Sequence, residues 1–342
     1  MNLNNALNIQ TLNDRAEGNL RLLFHYLQRY GNRCASYSVL QPGMSYSLWE
    51  GVGFAAWLNA KNLISGDHAV VLSNPVVSAQ LQQLFVERLA GHLGKTTLVQ
   101  IDENLARQLY LSGFRVYQLG VETELDIGAF NLEGGEKASL RQWKNKCLRA
   151  GITVEEKKLS EVDPREVSGL CASWLQNKGG RELSFLTRPM PGKDEKGVRF
   201  FWARSGERLV GLAGFDPIYS AGRVIGYYHN FDRVEDGALN GISPYIVLCA
   251  LEKFKAEGIG TLSLGLSPLV EMSCGFNLSG ALKKISEFFF RFGESIYPFK
   301  GNARHKSKFC GNRKKVYVAS NAGWFDTMVA AATACGLEVG KS

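Results

Sequence analysis

The stretch RFFWARSGERLVGLAGFDPIYSAGRVIGYYHNFDR, residues 199–233, decides the fold. It holds three runs rich in aromatic and β-branched residues, broken at Ser205-Gly206 and Ala221-Gly222. Runs of that composition separated by glycine turns predict an antiparallel meander. Beyond it, Ser243 to Ala256 reads as a helix with Gly258 just past its end, where a left-handed cap belongs. Thr261 to Leu266 then alternates small and apolar residues like a strand. Meander, helix and strand in that order predict an α/β unit.

The same logic extends upstream. Leu20, Leu23, Phe24 and Leu27 sit at helical spacing within 17–30, so an amphipathic helix is predicted to pack on the first part of the chain. From Ala35 onward the pattern reads as a strand pair, a buried strand at Ala69 to Leu72, a helix at Val77 to Leu93 and a strand at Thr97 to Ile101. Leu105 to Ser112 reads as a short helix closed by Gly113, and Phe114 to Asp126 as a strand. The stretch GGEKASLRQWKNKCLRAG, 134–151, reads as a helix with five cations, Lys137, Arg141, Lys144, Lys146 and Arg149, against one acid, Glu136. That excess exceeds what solubility requires. Pro164 to Leu175 and Trp324 to Cys335 read as further helices. No internal repeat shows at periods of 20–50 residues.

A chain of 342 residues exceeds one ordinary core and predicts about two domains. Hydrophobic residues at 45% with charged residues at 21% exclude a disordered chain. Lys and Arg outnumber Asp and Glu by 40 to 32, a net charge of +8 that draws the protein toward polyanions such as nucleic acid or anionic lipid. No apolar run is long enough to cross a bilayer, and Met1 to Arg15 lacks the order of a secretory signal, so a cytoplasmic protein is expected. The seven cysteines are scattered without metal-ligand spacing, so reduced thiols and no metal are expected.

Three stretches of the second half resemble the C-terminal catalytic domain of lysylphosphatidylglycerol synthetases. SWLQNKGGRELSF, 173–185, is similar to a family segment in the order Trp174, Leu175, Lys178, Glu182 and Phe185. NGISPYIVLCALEKFKAEGIGTLSLGLSPL, 240–269, is similar to the family's helix and following strand. YPFKGNARHKSKF, 297–309, is the most specific match, through Gly301, Arg304, Lys306, Lys308 and Phe309. Weaker echoes at VVLSNPV, 70–76, and LDIGAFNLEGGEKASLRQ, 125–142, extend the resemblance over roughly residues 35–320. Two positions depart from the family's pattern: Pro244 stands where an acid is common, and Asn74 replaces an aspartate. The first departure leaves the donor amino acid open, because a carboxylate is the natural partner of an ammonium group.

The resemblance implies an α/β fold of tandem GNAT-like (acyl-CoA N-acyltransferase-like) units, here 1–132 and a catalytic unit at 133–342. It also implies an aminoacyltransferase that moves an amino acid from aminoacyl-tRNA to a phosphatidylglycerol-like lipid. An aminoacyl ester is already activated, so no cofactor is expected, and catalysis rests on positioning, a base and stabilisation of an oxyanion. Glu182 is a candidate for ammonium recognition or base, with Lys178 beside it. His229, at the point where such folds open their cleft, is a candidate base. Arg304 is a candidate contact to the reacting phosphate group.

Asn230, Asn240, Lys306 and Lys308 are candidate substrate-binding residues. Lys137, Arg141, Lys144, Lys300, Arg313 and Lys314 are candidates for tRNA or lipid phosphate. Residues 300–315 hold seven Lys or Arg and no acid, a pattern suited to phosphate. The partners implied are aminoacyl-tRNA and anionic phospholipid, reached by a peripheral protein on the inner face of the membrane. The aromatic run 286–299 is expected in the core.

Two other readings compete. A CoA-dependent N-acyltransferase would cradle pyrophosphate at a glycine-rich helix start, but Asp236 to Ser243 offers Gly237 and Gly241 without the arginine pattern. A non-catalytic basic binding protein on the same fold draws support from Pro244.

Overall fold

The computed structural model describes residues 9–12, 17–61, 66–177, 185–268, 270–271 and 299–336. The first half runs β1 (Ile9–Leu12), α1 (Glu17–Tyr30), β2 (Ser45–Trp49), β3 (Gly53–Asn59), β4 (Ala69–Leu72), α2 (Gln82–Leu93), β5 (Thr96–Ile101), α3 (Glu103–Leu111) and β6 (Arg115–Asp126). After α4 (Ala138–Arg149), the second half repeats that order. It runs β7 (Ile152–Glu156), α5 (Pro164–Asn177), β8 (Arg199–Ser205), β9 (Arg208–Ser220), β10 (Arg223–Val234), α6 (Ile242–Ala256), β11 (Thr261–Pro268), α7 (Phe299–Ser307) and β12 (Asn312–Ser320). A last helix, α8 (Trp324–Ala334), follows. The meander expected at 199–233 is β8, β9 and β10.

In each half four strands pair antiparallel and the fourth pairs parallel with the fifth, β4 with β5 and β10 with β11. This is the meander, helix and parallel strand of a GNAT-like core, present twice. The final strands are exchanged: β12 lies between β5 and β6, and β6 lies between β12 and β11. The exchange welds the halves into one sheet of order β1-β2-β3-β4-β5-β12-β6-β11-β10-β9-β8-β7.

The halves also trade connectors. A 3-10 turn at Cys34–Leu40, which joins α1 to β2, packs on β9, β10 and β11 of the second half. The segment between α5 and β8 leans the other way. Its Phe185 and Leu186 carbonyls accept from Gln41 Nε2 at 2.9 Å and Gln100 Nε2 at 3.2 Å, and the Phe185 ring is buried in the core under α1.

Burial follows from composition. β9 is buried from Leu209 to Tyr219 because helices cover both of its faces, which suits its near-continuous apolar run. α6 is apolar nearly all round, and Ile242, Ile246, Val247, Leu251 and Phe254 fill the core between it, α4 and the sheet. α3 starts two residues before the expected Leu105 because the Asp102 side chain caps it, accepting from Leu105 N at 2.9 Å. The helix expected from Val77 begins at Gln82, after a 3-10 turn at Ala79–Leu81. The basic stretch 300–315 is helix α7, a turn and the first residues of central strand β12. The aromatic run 286–298 lies outside the described residues.

Candidate active site

β10 and β11 pair over only three residues, Gly226↔Thr261 to Tyr228↔Ser263. Past that point each strand bulges, β10 between His229 and Phe231 and β11 between Ser263 and Gly265. Gly265 takes φ 77°, and a Cβ there would stand 2.5 Å from the Tyr228 ring, so glycine is what lets the strands come so close before they part. The strands part at the carboxyl ends of the parallel pair, the usual ligand position in an open α/β sheet.

Three side chains of the basic signature reach inward from α7 and the turn after it. Lys306 Nζ donates to the Leu266 carbonyl on β11 at 2.8 Å. The His305 ring stacks on Trp143 of α4, with centroids 6.4 Å apart, and Lys308 Nζ stands 4.1 Å above the same indole. Phe309 is fully buried and anchors the segment against Phe130. Arg304, by contrast, is exposed.

His229 and Asp232 face α7 from β10. The His229 ring lies against Phe215, and its Nε2 is shielded from water with no hydrogen-bond partner among the described residues. Burial lowers its pKa to about 4 against the opposing pull of Asp232, so the imidazole is neutral at pH 7. Burial pushes Asp232 up, but His229, the Ser243 hydroxyl, His305 and Arg233 together hold it below the usual aspartate value. Ser243, in the first turn of α6, donates to the Asp232 carboxylate, which therefore sits at the positive end of that helix. Lys306 is lowered to about 8, burial outweighing Cys34, Glu122 and Asp232. Burial likewise lowers His305.

A second polar group adjoins this one from the first half. Glu122 of β6 accepts from Ser263 Oγ at 2.9 Å and lies 3.8 Å from Arg33 Nη2. Arg33 Nε lies 3.8 Å from Asp102, which Asn74 Nδ2 contacts at 3.0 Å. The Cys34 thiol is pushed well up by burial and by Glu122, and stays protonated.

Of the residues singled out in the sequence, the structure brings His229 and Lys306 to one place, with Lys308 over the Trp143 indole beside His305. Asn230 donates to the Arg188 carbonyl at 3.1 Å, and its Oδ1 is buried without a partner among the described residues. Asn240 is exposed in the turn before α6. Lys178 and Glu182 lie outside the described residues, as does the Lys300 side chain.

Several cations expected to bind phosphate have partners within the chain. Lys144 pairs with Glu252 at 2.6 Å, Lys314 with Glu124 at 2.6 Å, and Arg313 with Glu271. Arg141 donates to the Gly134 carbonyl at 2.7 Å, and Lys137 lies over Phe130 at 5.0 Å. Sequence reading missed Arg33, Glu122, Asp232, Ser243, Ser263 and His305. His305 was within reach, since it stands between two signature cations; Arg33 and Glu122 carry no local signal, being far from Lys306 along the chain.

A family model described as "Phosphatidylglycerol lysyltransferase, C-terminal" matches residues 24–320. The phosphatidylglycerol lysyltransferase of Bacillus subtilis is 25% identical over 211 residues, covering 60% of this chain and 24% of that protein. An uncharacterized protein of Corynebacterium glutamicum is 19% identical over 271 residues, covering 76% of this chain and 33% of the other. The chain thus spans a third or less of the length of these curated relatives. The structure of L-PGS from Bacillus licheniformis superposes with a TM-score of 0.76 at 17% identity, covering 92% of this chain and 96% of that one, a likeness of fold.

Proposed function

The chain belongs to the phosphatidylglycerol lysyltransferase C-terminal family, and on that premise we propose that it transfers an amino acid from aminoacyl-tRNA to a hydroxyl of a phosphatidylglycerol-like lipid. The observation that carries the proposal is the meeting of Lys306, from the family's basic signature, with neutral His229 where β10 and β11 part. In the reaction the lipid hydroxyl oxygen attacks the ester carbonyl carbon, and the bond from that carbon to the ribose oxygen breaks. The hydroxyl proton ends on the ribose oxygen.

His229, held uncharged, is the base that carries this proton, and Asp232 steadies the imidazolium formed on the way. The Lys306 ammonium stabilises the tetrahedral oxyanion. Glu182 takes the donor's ammonium with Lys178 beside it, and Asn230 and Asn240 bind substrate. Arg304, Lys308, Lys300 and the cations of α4 meet phosphates of the acceptor stem or lipid headgroup, together with Arg313 and Lys314.

We divide the chain at 132/133 into an N-terminal unit and a catalytic unit. Among the described residues no helix is long and apolar enough to cross a membrane. In this reading the lipid is met by peripheral contact with the membrane's inner face.

The CoA-dependent reading loses ground at α6. Its N-terminus, where a pyrophosphate would sit, already faces the Asp232 carboxylate through Ser243, and Pro244 removes one of the free N–H donors.

The test is transfer of labelled amino acid from a panel of charged tRNAs to phosphatidylglycerol vesicles. The expected result is label in the lipid extract that vanishes when RNase is added first. No lipid label from any charged tRNA rejects the proposal, and acyl transfer from a CoA thioester would favour the other enzyme reading.

A further inference from the structure

Lys306 presents a problem of charge. A half-buried ammonium with few partners tends to lose its proton, yet Lys306 has one hydrogen bond among the described residues, to the Leu266 carbonyl. A carboxylate bonded directly to it would hold the charge but use up the N–H groups a substrate needs. The first half of the chain supplies a third arrangement.

Leu266, whose carbonyl takes the Lys306 ammonium, stands directly opposite Glu122 in the pairing of β11 with β6. The Glu122 side chain is buried and faces Lys306 without an ion pair to it. Its carboxylate is instead shared between the Ser263 hydroxyl at 2.9 Å and the Arg33 guanidinium at 3.8 Å. Arg33 is tethered on its other side by Asp102, the cap of α3, which lies just past the end of β5 in the first half's own parallel pair. A row of charges thus links the carboxyl end of the parallel pair in one half to that in the other.

We propose that Arg33 and Glu122 are positioning residues for Lys306: Glu122 supplies the counter-charge that keeps the ammonium protonated, and Arg33 holds Glu122 back from bonding to it, leaving its N–H groups for the substrate. This rests on the reading of Lys306 as the cation of the transfer site. The other titratable groups facing Lys306 are Cys34 from the 3-10 turn, His229 and Asp232 from β10, and His305 on its own helix. Of these groups Cys34 and Glu122 also face Arg33, and Glu122 is the one that forms an ion pair with it.

The experiment follows the pH dependence of Lys306 acylation by an amine-reactive reagent, read by mass spectrometry of the Lys306 peptide in the full chain without substrate. The wild-type midpoint is expected near pH 8. Glu122→Gln should lower it by about one unit or more, the usual effect of removing a neighbouring opposite charge, and Glu122→Asp should restore most of the shift. Arg33→Met should raise it, because the carboxylate is then free to pair with Lys306.

Opposite signs in the two variants are the signature, since simple loosening of the fold would move both the same way. If Glu122→Gln does not fold by circular dichroism, the direction of the Arg33→Met shift decides alone. No shift, or two shifts of one sign, overturns the proposal. In the transfer assay Glu122→Gln should lower kcat about tenfold at pH 8, with KM for the charged tRNA within about twofold. Transfer lost while the midpoint stays put also overturns it. The labelling needs no tRNA or lipid, so midpoint shifts without any transfer in the wild type would count against the function and not against the bridge.

Discussion

Arg188 grips Asp216 with two hydrogen bonds, Nε to Oδ2 at 3.0 Å and Nη2 to Oδ1 at 2.5 Å, where both side chains are almost wholly buried. Arg188 also reaches Glu195 at 2.7 Å, covers the Tyr37 ring of the first half at 5.2 Å, and offers its carbonyl to Asn230. The fork therefore fixes the connector that leads into β8, and through it one wall of the site. Asp216→Ala would leave the buried guanidinium with Glu195 as its one carboxylate partner among the described residues and should destabilise the fold by about 3 kcal/mol, whereas adding Arg188→Met should recover much of that. Urea unfolding measures both; a loss under about 1 kcal/mol for the single variant would mean water reaches the pair.

Lys306 and its exposed neighbours should separate in kinetics. Lys306→Ala is expected to lower kcat roughly 10²–10³-fold, the scale of losing one oxyanion donor. Lys315→Ala should stay within about twofold, as a surface charge does. Arg304→Ala should cost more than Lys315→Ala, and should act on KM for tRNA and its salt dependence more than on kcat. Equal losses for Arg304 and Lys315 would reduce that face to a general electrostatic surface.

Gly241 caps α6 at φ 106°, and a Cβ there would come within 2.7 Å of Trp143. Trp143 is the indole on which His305 stacks and over which Lys308 sits. Gly241→Ala should therefore cost about 1–3 kcal/mol, through backbone strain and overpacking, and depress transfer as well. Thermal melting and transfer rates check the pair of effects; a variant that melts like the wild type would show that Trp143 yields freely.

Acid should destabilise the fold well before its carboxylates titrate. Burial lowers both His68 and His229 from 6.5 to about 4. Between those values the unfolded chain binds the extra protons, so stability is complete above about pH 6.5 and drains away as pH falls toward 4. Each ring contributes a slope of about 1.4 kcal/mol per pH unit in that window. Urea midpoints at pH 7, 6 and 5 test this, and His68→Gln should flatten part of the slope. A level profile from pH 7 to 5 would mean the rings take up protons as readily in the folded protein as in the unfolded chain.

Much of the fold was legible because its signals are local. Glycine turns at Ser205-Gly206 and Ala221-Gly222 mark β8, β9 and β10, and the apolar run before Gly258 marks α6, as each was read. The short strands β1 and β7 escaped notice, having four and five residues and mostly polar faces. The basic signature could be recognised by residue order, but which of its cations turns inward could not. Lys306 and Arg304 differ only in the face of α7 they occupy, and that face is set by Phe309 entering the core.

The sequence by itself determined the elements, the meander-helix-strand order of the second half and the family signature, because each depends on residues close together in the chain. Tertiary structure alone decided that the halves exchange β6 and β12, and that Glu122, paired with Arg33, comes to face Lys306. Strand pairing and burial across nearly the whole length of the chain make those contacts. No periodicity or spacing along the chain records them, since backbone N–H and C=O groups pair with any strand and do not name their partner.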